Sequence, residues 1–343
     1  MQPQTQVKIV TLWLALCLLV FTAIMVAGGA ARLREGGIAL SDIQPFSNLA
    51  LPAHEERITR EFETYKELEL FRKYFPAMEI EEFTPVYLLE YTKIILFRLL
   101  VPLILFPFLI LTAASFIPLR LFVKLACIFA CVFLPFPYHT SAAAFTVLTA
   151  YYVTGENFLQ FLLFALLLWQ VLSVSYPHHS SGLELRTPGA GIKLFACIFF
   201  VLLSLEILLG SSLNGVHSDL KYNIFPAMEH SFLPEGLFPL SPLYRNLFED
   251  VTTLQFSHRI TACVLAVFII IFWITGRNNA HIAHLLPILF SIFVIQFLLG
   301  VLTLLFTAPV RLAWLHQANT ILLFAIAVTL MHRLFIPIRR MNY

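Results

Sequence analysis

Charge is what this chain has least of. Only 12% of its 343 residues are Asp, Glu, Lys or Arg, and 59% are hydrophobic. Soluble domains carry about 25% charged residues. With a mean hydropathy of +0.84, the deficit excludes a soluble globular domain and points to an integral membrane protein. The net charge of +2 gives no case for a nucleic-acid partner. Cysteine is confined to apolar runs (Cys17, Cys127, Cys131, Cys197, Cys263), which leaves no loop disulfide. Cys127 and Cys131 share a helix face, as a metal pair would, but in so apolar a run they read as small buried hydrophobes. No P-loop, dinucleotide fingerprint or Ser-His-Asp arrangement stands out. The roughly ten-residue alternation of an outer-membrane barrel is also missing.

What is present is a series of long apolar runs, at about 9–31, 87–113, 119–138, 144–175, 190–213, 252–275, 282–307 and 310–335. A helical span needs about 20 residues, so the expectation is an all-α membrane protein with eight transmembrane helices. Lys8, Arg120, Lys124, Arg186, Lys193, Arg277, Arg339 and Arg340 fall at the termini and the even-numbered loops. Positive residues stay inside, so both termini are expected to be cytoplasmic. The first run is too long for a signal h-region and is expected to stay as a helix. No Arg- and Ser-rich transit segment precedes it. A bacterial inner membrane is therefore favoured over the mitochondrial one.

The runs pair up as two similar four-helix units, 1–180 and 181–343. Each unit opens with a span ending in small residues, Gly28-Gly29-Ala30 or Gly210-Ser211-Ser212. Each continues through a long polar loop with Pro45-Phe46 or Phe225-Pro226. Each then starts a span on a polar pair, Glu90 and Lys93 or Gln255 and His258. In the first loop Ile58, Phe62, Tyr65, Leu68 and Phe71 recur at helical spacing, which predicts an amphipathic helix on the bundle or at the interface. The second loop, about 214–251, is rich in Pro, Phe and Leu and reads as an ordered cap.

Two histidines carry the chemistry. His258 and His316 each enter from the outer side, about one and a half turns below the surface. A polar ring inside a membrane segment is a functional-site hypothesis by default. Two at similar depth on helices of one bundle can hold a haem iron from both sides; singly, each would be a hydrogen-bonded structural residue. Arg259 and Arg311 nearby suit haem propionates, or they snorkel to lipid headgroups.

The second half resembles haem A synthase of the mitochondrial and proteobacterial type. The stretches that carry the resemblance are Lys221-Tyr222-Asn223-Ile224-Phe225-Pro226-Ala227-Met228, Gln255-Phe256-Ser257-His258-Arg259 and Leu315-His316-Gln317-Ala318. Gly28 to Gly37, Phe62 to Lys66 and the segment from Glu82-Phe83 onward resemble the same family in the first half. The resemblance implies two pseudo-symmetric four-helix halves, with haem b held by His258 and His316. It implies a haem O substrate site in the first half, where a methyl group is oxidised to formyl with oxygen from water or dioxygen. Haem O synthase, cytochrome oxidase assembly factors and a second copy of the chain are the protein partners it allows.

The substrate site departs from the family pattern Glu-x-x-His-Arg. Glu90 is kept, but Lys93 and Ile94 replace the His and Arg, and Arg98 matches a basic residue one turn on. Glu156 stands where a fourth-helix His belongs, and no histidine occurs between His139 and His178. Three readings stay open for Lys93 and Glu156: Lys93 ligates iron, the two pair with each other, or both face water. Glu90 is the family's oxidation-assisting carboxylate, or it simply pairs with Lys93 one turn away. His139 is a substitute ligand or a packing residue. The alternative to an enzyme is a diverged homologue that binds one haem b and serves electron transfer or oxidase assembly.

Overall fold

The computed structural model describes residues 3–35, 55–67, 71–72, 76–132, 149–175, 188–215, 222–228, 231–307 and 309–336. In chain order the helices are α1 (Pro3–Glu35), α2 (Glu55–Lys66), α3 (Ile80–Ala113), α4 (Leu119–Val132), α5 (Thr149–Ser175), α6 (Ala190–Gly215), α7 (Val251–Gly276), α8 (Leu285–Leu305) and α9 (Val310–Phe335). A 3₁₀ turn at Leu243–Leu247 precedes α7. There is no strand among the described residues, only an isolated bridge between Met228 and Ser231.

Seven of these helices are long and apolar enough to cross a membrane: α1, α3, α5, α6, α7, α8 and α9. The chain is a multi-pass membrane protein. The expected third span is described only as the 14-residue α4, because 133–148 lie outside the described residues. Outward faces are apolar, with Phe106, Val201 and Ile274 all more than half exposed. Such faces suit lipid, where no water competes for burial. Cys127 and Cys263 also face outward, and only Cys17 is buried. Cys127 and Cys131, expected to be small buried hydrophobes, are exposed and half-buried instead, because lipid accepts a thiol as readily as a core does.

Helix α3 starts at Ile80, seven residues before the expected span. The reason is α2. Phe62 and Tyr65 of α2, with Phe71, pack on Phe83, Val86, Tyr87 and Tyr91 of α3. Arg57 lies over the Tyr91 ring, 5.3 Å from its centre. The amphipathic helix therefore lies on an extension of α3 that precedes its apolar stretch.

Pro102 and Pro107 interrupt α3 in its apolar stretch. Proline has no N–H to offer the carbonyl four residues back, so Pro107 frees the carbonyl of Leu103. Trp13 of α1 takes it, donating from Nε1 at 2.8 Å. This bond ties α1 to α3 where lipid could not satisfy the carbonyl. Trp13→Phe is expected to lower stability in detergent by about 1–3 kcal/mol, the cost of an orphaned buried acceptor. A thermal or denaturant midpoint measures it.

In the C-terminal part α6 packs on α7, α7 on α8, α8 on α9, and α9 returns to α6. Four helices thus close a ring. Helices α1 and α5 pack against α9 and α6 from outside. Phe199, Ile269 and Phe272 fill the end of the ring where α6 begins and α7 ends.

The segment before α7 is ordered by side-chain bonds rather than by regular structure. Buried Asn246 donates to the carbonyls of Leu240 (2.8 Å) and Leu243 (2.9 Å) and accepts from the Leu240 N–H. Asp250 caps α7 by accepting from the Thr253 N–H at 2.7 Å. Glu249 accepts from Arg245 (2.6 Å) and from the Tyr151 hydroxyl of α5 (2.5 Å). These donors hold its carboxyl down at about 2. A depressed carboxylate stabilises above its ordinary range and loses that effect only as pH falls through its folded value. The clasp between α5 and the cap therefore stays closed at neutral and mildly acid pH.

Candidate functional site

The ring of α6 to α9 is filled with side chains at the end where α6 begins and α7 ends, and hollow toward the end where α7 and α9 begin. The hollow offers ≈ 230 Å³ to the centres of water-sized molecules. Its walls are apolar, with Phe161 of α5, Leu203 of α6, Leu265 of α7, Phe293 of α8 and Leu323 of α9. Both His258 and His316 line it. Each reaches it because its helix begins about two turns earlier: α7 at Val251 behind the Asp250 cap, α9 at Val310 behind Pro309.

Each imidazole rests on a glycine of the preceding helix. The position a Cβ would take on Gly210 of α6 is 3.3 Å from His258 Cε1. On Gly300 of α8 it is 3.3 Å from His316 Cε1. A side chain at either place would press on the ring, so glycine sets how far each ring retreats from the centre of the hollow.

Polar partners complete the two seats. His258 Nδ1 is 3.0 Å from Glu206 Oε1 of α6, without the alignment of a full hydrogen bond. Gln296 Nε2 of α8 is 3.2 Å from His316 Nδ1 and 3.3 Å from Nε2. Gln296 also donates to Thr320 at 2.7 Å and accepts from Asn319 at 2.8 Å.

This donor set fits a haem. Two imidazoles open into one apolar hollow, and a planar macrocycle ligated on both faces asks for no third ligand. Among the described residues no group of three or more His, Cys, Asp or Glu gathers to hold a bare ion.

The likeness to known proteins runs the length of the chain. A family model described as cytochrome oxidase assembly protein matches residues 11–328. This chain belongs to the haem A synthase family of cytochrome oxidase assembly proteins. It is 30% identical to a protein named heme A synthase from Nitrosospira multiformis over 337 residues, 95% of this chain and 94% of that one. It is 28% identical over 334 residues to the protein of that name from Wolbachia pipientis subsp. Culex pipiens, covering 93% and 96%. The one from Parvibaculum lavamentivorans is 28% identical over 321 residues, covering 92% and 91%.

Against that family pattern the other expected residues fall as follows. Arg259 lines the mouth of the hollow, and its guanidinium donates to the carbonyls of Tyr222 (2.8 Å), Ile224 (3.0 Å) and Ala227 (3.0 Å) and to Gln255 Oε1 (3.1 Å). It fastens the Tyr222-to-Ala227 stretch to α7 beside His258. Arg311 is exposed at the start of α9, and Arg98 is half-buried on α3. In the first half Glu90, Lys93 and Glu156 are all buried. Burial removes the reading in which Lys93 and Glu156 face water. Lys93 pairs with Glu90 on its own helix. Glu156 accepts from Gln160 at 2.5 Å. His139 lies outside the described residues.

Glu206 and Gln296 are absent from the expectations. The signal was present: Glu206-Ile207-Leu208-Leu209-Gly210 and Gln296-Phe297-Leu298-Leu299-Gly300 are near-copies. In each the polar residue stands one turn before the seating glycine.

Proposed function

We propose that this chain makes haem A, oxidising the methyl group of haem O to formyl in a bacterial inner membrane, with haem b held between His258 and His316. The observation that carries the reading is the pair of glycine-seated imidazoles in one apolar hollow. The full-length likeness to proteins named heme A synthase favours the enzyme over a one-haem binding protein.

The proposed architecture is eight membrane helices in two pseudo-symmetric halves, 1–180 and 181–343, with both termini cytoplasmic. The small residues Gly28-Gly29 late in α1 and Gly210-Ser211-Ser212 late in α6 support a repeat. When bound, haem b supplies a one-electron carrier. His258 and His316 would hold it, while Phe161, Leu203 and Phe293 would keep water from the hollow. Arg259 fixes the loop at the hollow, and it and exposed Arg311 would serve propionates, Arg259 by giving up one of its bonds to the loop carbonyls. In the first half Glu90 takes up protons released as the methyl carbon is oxidised, the formyl oxygen coming from water or dioxygen and the electrons passing through haem b. Lys93 pairs with Glu90 and holds it in place, and Arg98 and Glu156 belong to the same substrate site. Haem O synthase is the partner that would supply the substrate.

The test is to purify the protein and identify its haem by pyridine haemochrome and mass spectrometry. Haem A in the wild type, absent from Glu90→Ala, is the expected result. A single haem b, with neither haem O nor haem A in cells that make haem O, would refute the catalytic reading.

A further inference from the structure

The two near-copies described above do the same job on different helices. Glu206 stands one turn before Gly210 on α6, and Gln296 one turn before Gly300 on α8. Each glycine carries one imidazole against its backbone, and each polar residue comes within 3.0 to 3.3 Å of a nitrogen of that ring. The seats differ in one respect: the acceptor beside His258 is a carboxylate, and the group beside His316 is a carboxamide.

The surroundings sharpen that difference. Gln296 belongs to a chain of hydrogen bonds with Thr320 and Asn319, so its amide is held independently of the histidine. Glu206 Oε2 has no hydrogen-bond partner, and Oε1 faces His258 Nδ1. Only 14% of the Glu206 side chain is accessible. A carboxyl group in an apolar hollow must find a partner, and His258 Nδ1, 3.0 Å from Oε1, is placed to become its donor when the ring turns into line.

A metal-bound histidine whose other ring nitrogen donates to a carboxylate is fixed in tautomer and orientation, and its basicity rises. A more basic axial ligand favours the ferric over the ferrous state. We propose that Glu206 is a positioning residue for His258, which it makes the more electron-donating of the two axial ligands and so holds the haem potential down. Gln296 positions His316 without that electronic effect. This inference rests on the proposed ligation by His258 and His316.

The experiment compares the purified full-length wild type with Glu206→Gln and Glu206→Asp. The readouts are haem content, the reduction potential of the low-spin haem and its electron paramagnetic resonance g values. Glu206→Gln makes the two seats alike. It is expected to keep its haem, with the potential shifted positive and the g values changed, while Glu206→Asp moves back toward wild type. Loss of haem in Glu206→Gln with retention in Glu206→Asp also supports the proposal, since only a carboxylate then seats the ring. An unchanged potential in a fully loaded Glu206→Gln overturns it. Loss of haem in both variants overturns it too, because shape rather than chemistry then decides. A wild type without a low-spin bis-imidazole spectrum defeats the underlying ligand assignment instead, so the two failures are distinct.

Discussion

Replacing His258 or His316 with alanine is expected to abolish the low-spin bis-imidazole spectrum of the purified protein. Either ring alone leaves iron with one strong axial ligand. The two act through one group, so the double variant should be no worse than either single one. Such non-additivity is what residues sharing a partner show. A bound haem also stabilises the fold that binds it, by mass action. Both variants should therefore melt earlier than the wild type, and excess haem should raise the wild-type midpoint but not theirs. Gly300→Ala is a milder probe of the same seat. A Cβ 3.3 Å from His316 Cε1 requires the ring to give by a few tenths of an ångström, which shifts the spectrum without erasing it. An unchanged low-spin signal in His258→Ala would remove that residue from the ligand set.

Most of the helical framework was legible because lipid makes the rule simple. A run of about 20 apolar residues crosses, and little else can. Helices α6, α7 and α9 begin and end within two residues of the runs read from composition. Legibility failed where tertiary contact replaced hydropathy. The outer turns of α3, from Ile80, are too polar to count as a span, and they stand because Phe83 and Tyr87 meet Phe62 and Tyr65. Cys127 and Cys263 look like core residues in one dimension, yet which face of a helix meets lipid is set by its neighbours.

The site divided along similar lines. The histidines were conspicuous as polar rings at matching depth. By the same argument Glu206 and Gln296, each alone in an apolar run, deserved equal weight. Their purpose becomes plain only when α6 is laid beside α7 and α8 beside α9. Spacing left several partners open for Lys93, and one of them, Glu90 one turn away on the same helix, is paired with it.

That choice has a measurable consequence. Glu90 and Lys93 are 4% and 7% exposed, so each is the other's compensation in a poorly solvated place. Breaking a buried pair by removing one partner costs about 3–5 kcal/mol, whereas replacing both with neutral groups is often neutral or stabilising by about 1–4 kcal/mol. Lys93→Met and Glu90→Gln are each expected to unfold early in detergent, and the double variant is expected to recover the wild-type midpoint. The double variant then separates structure from chemistry, because it restores packing without restoring a proton acceptor. If Glu90 takes protons from the oxidising carbon, a well-folded Glu90→Gln/Lys93→Met protein accumulates haem O and forms no haem A. Haem A formed at the wild-type level by that protein would assign the pair to stability alone. Proton handling would then fall to another carboxylate of the same half, with buried Glu156, already hydrogen-bonded by Gln160, the next to be replaced.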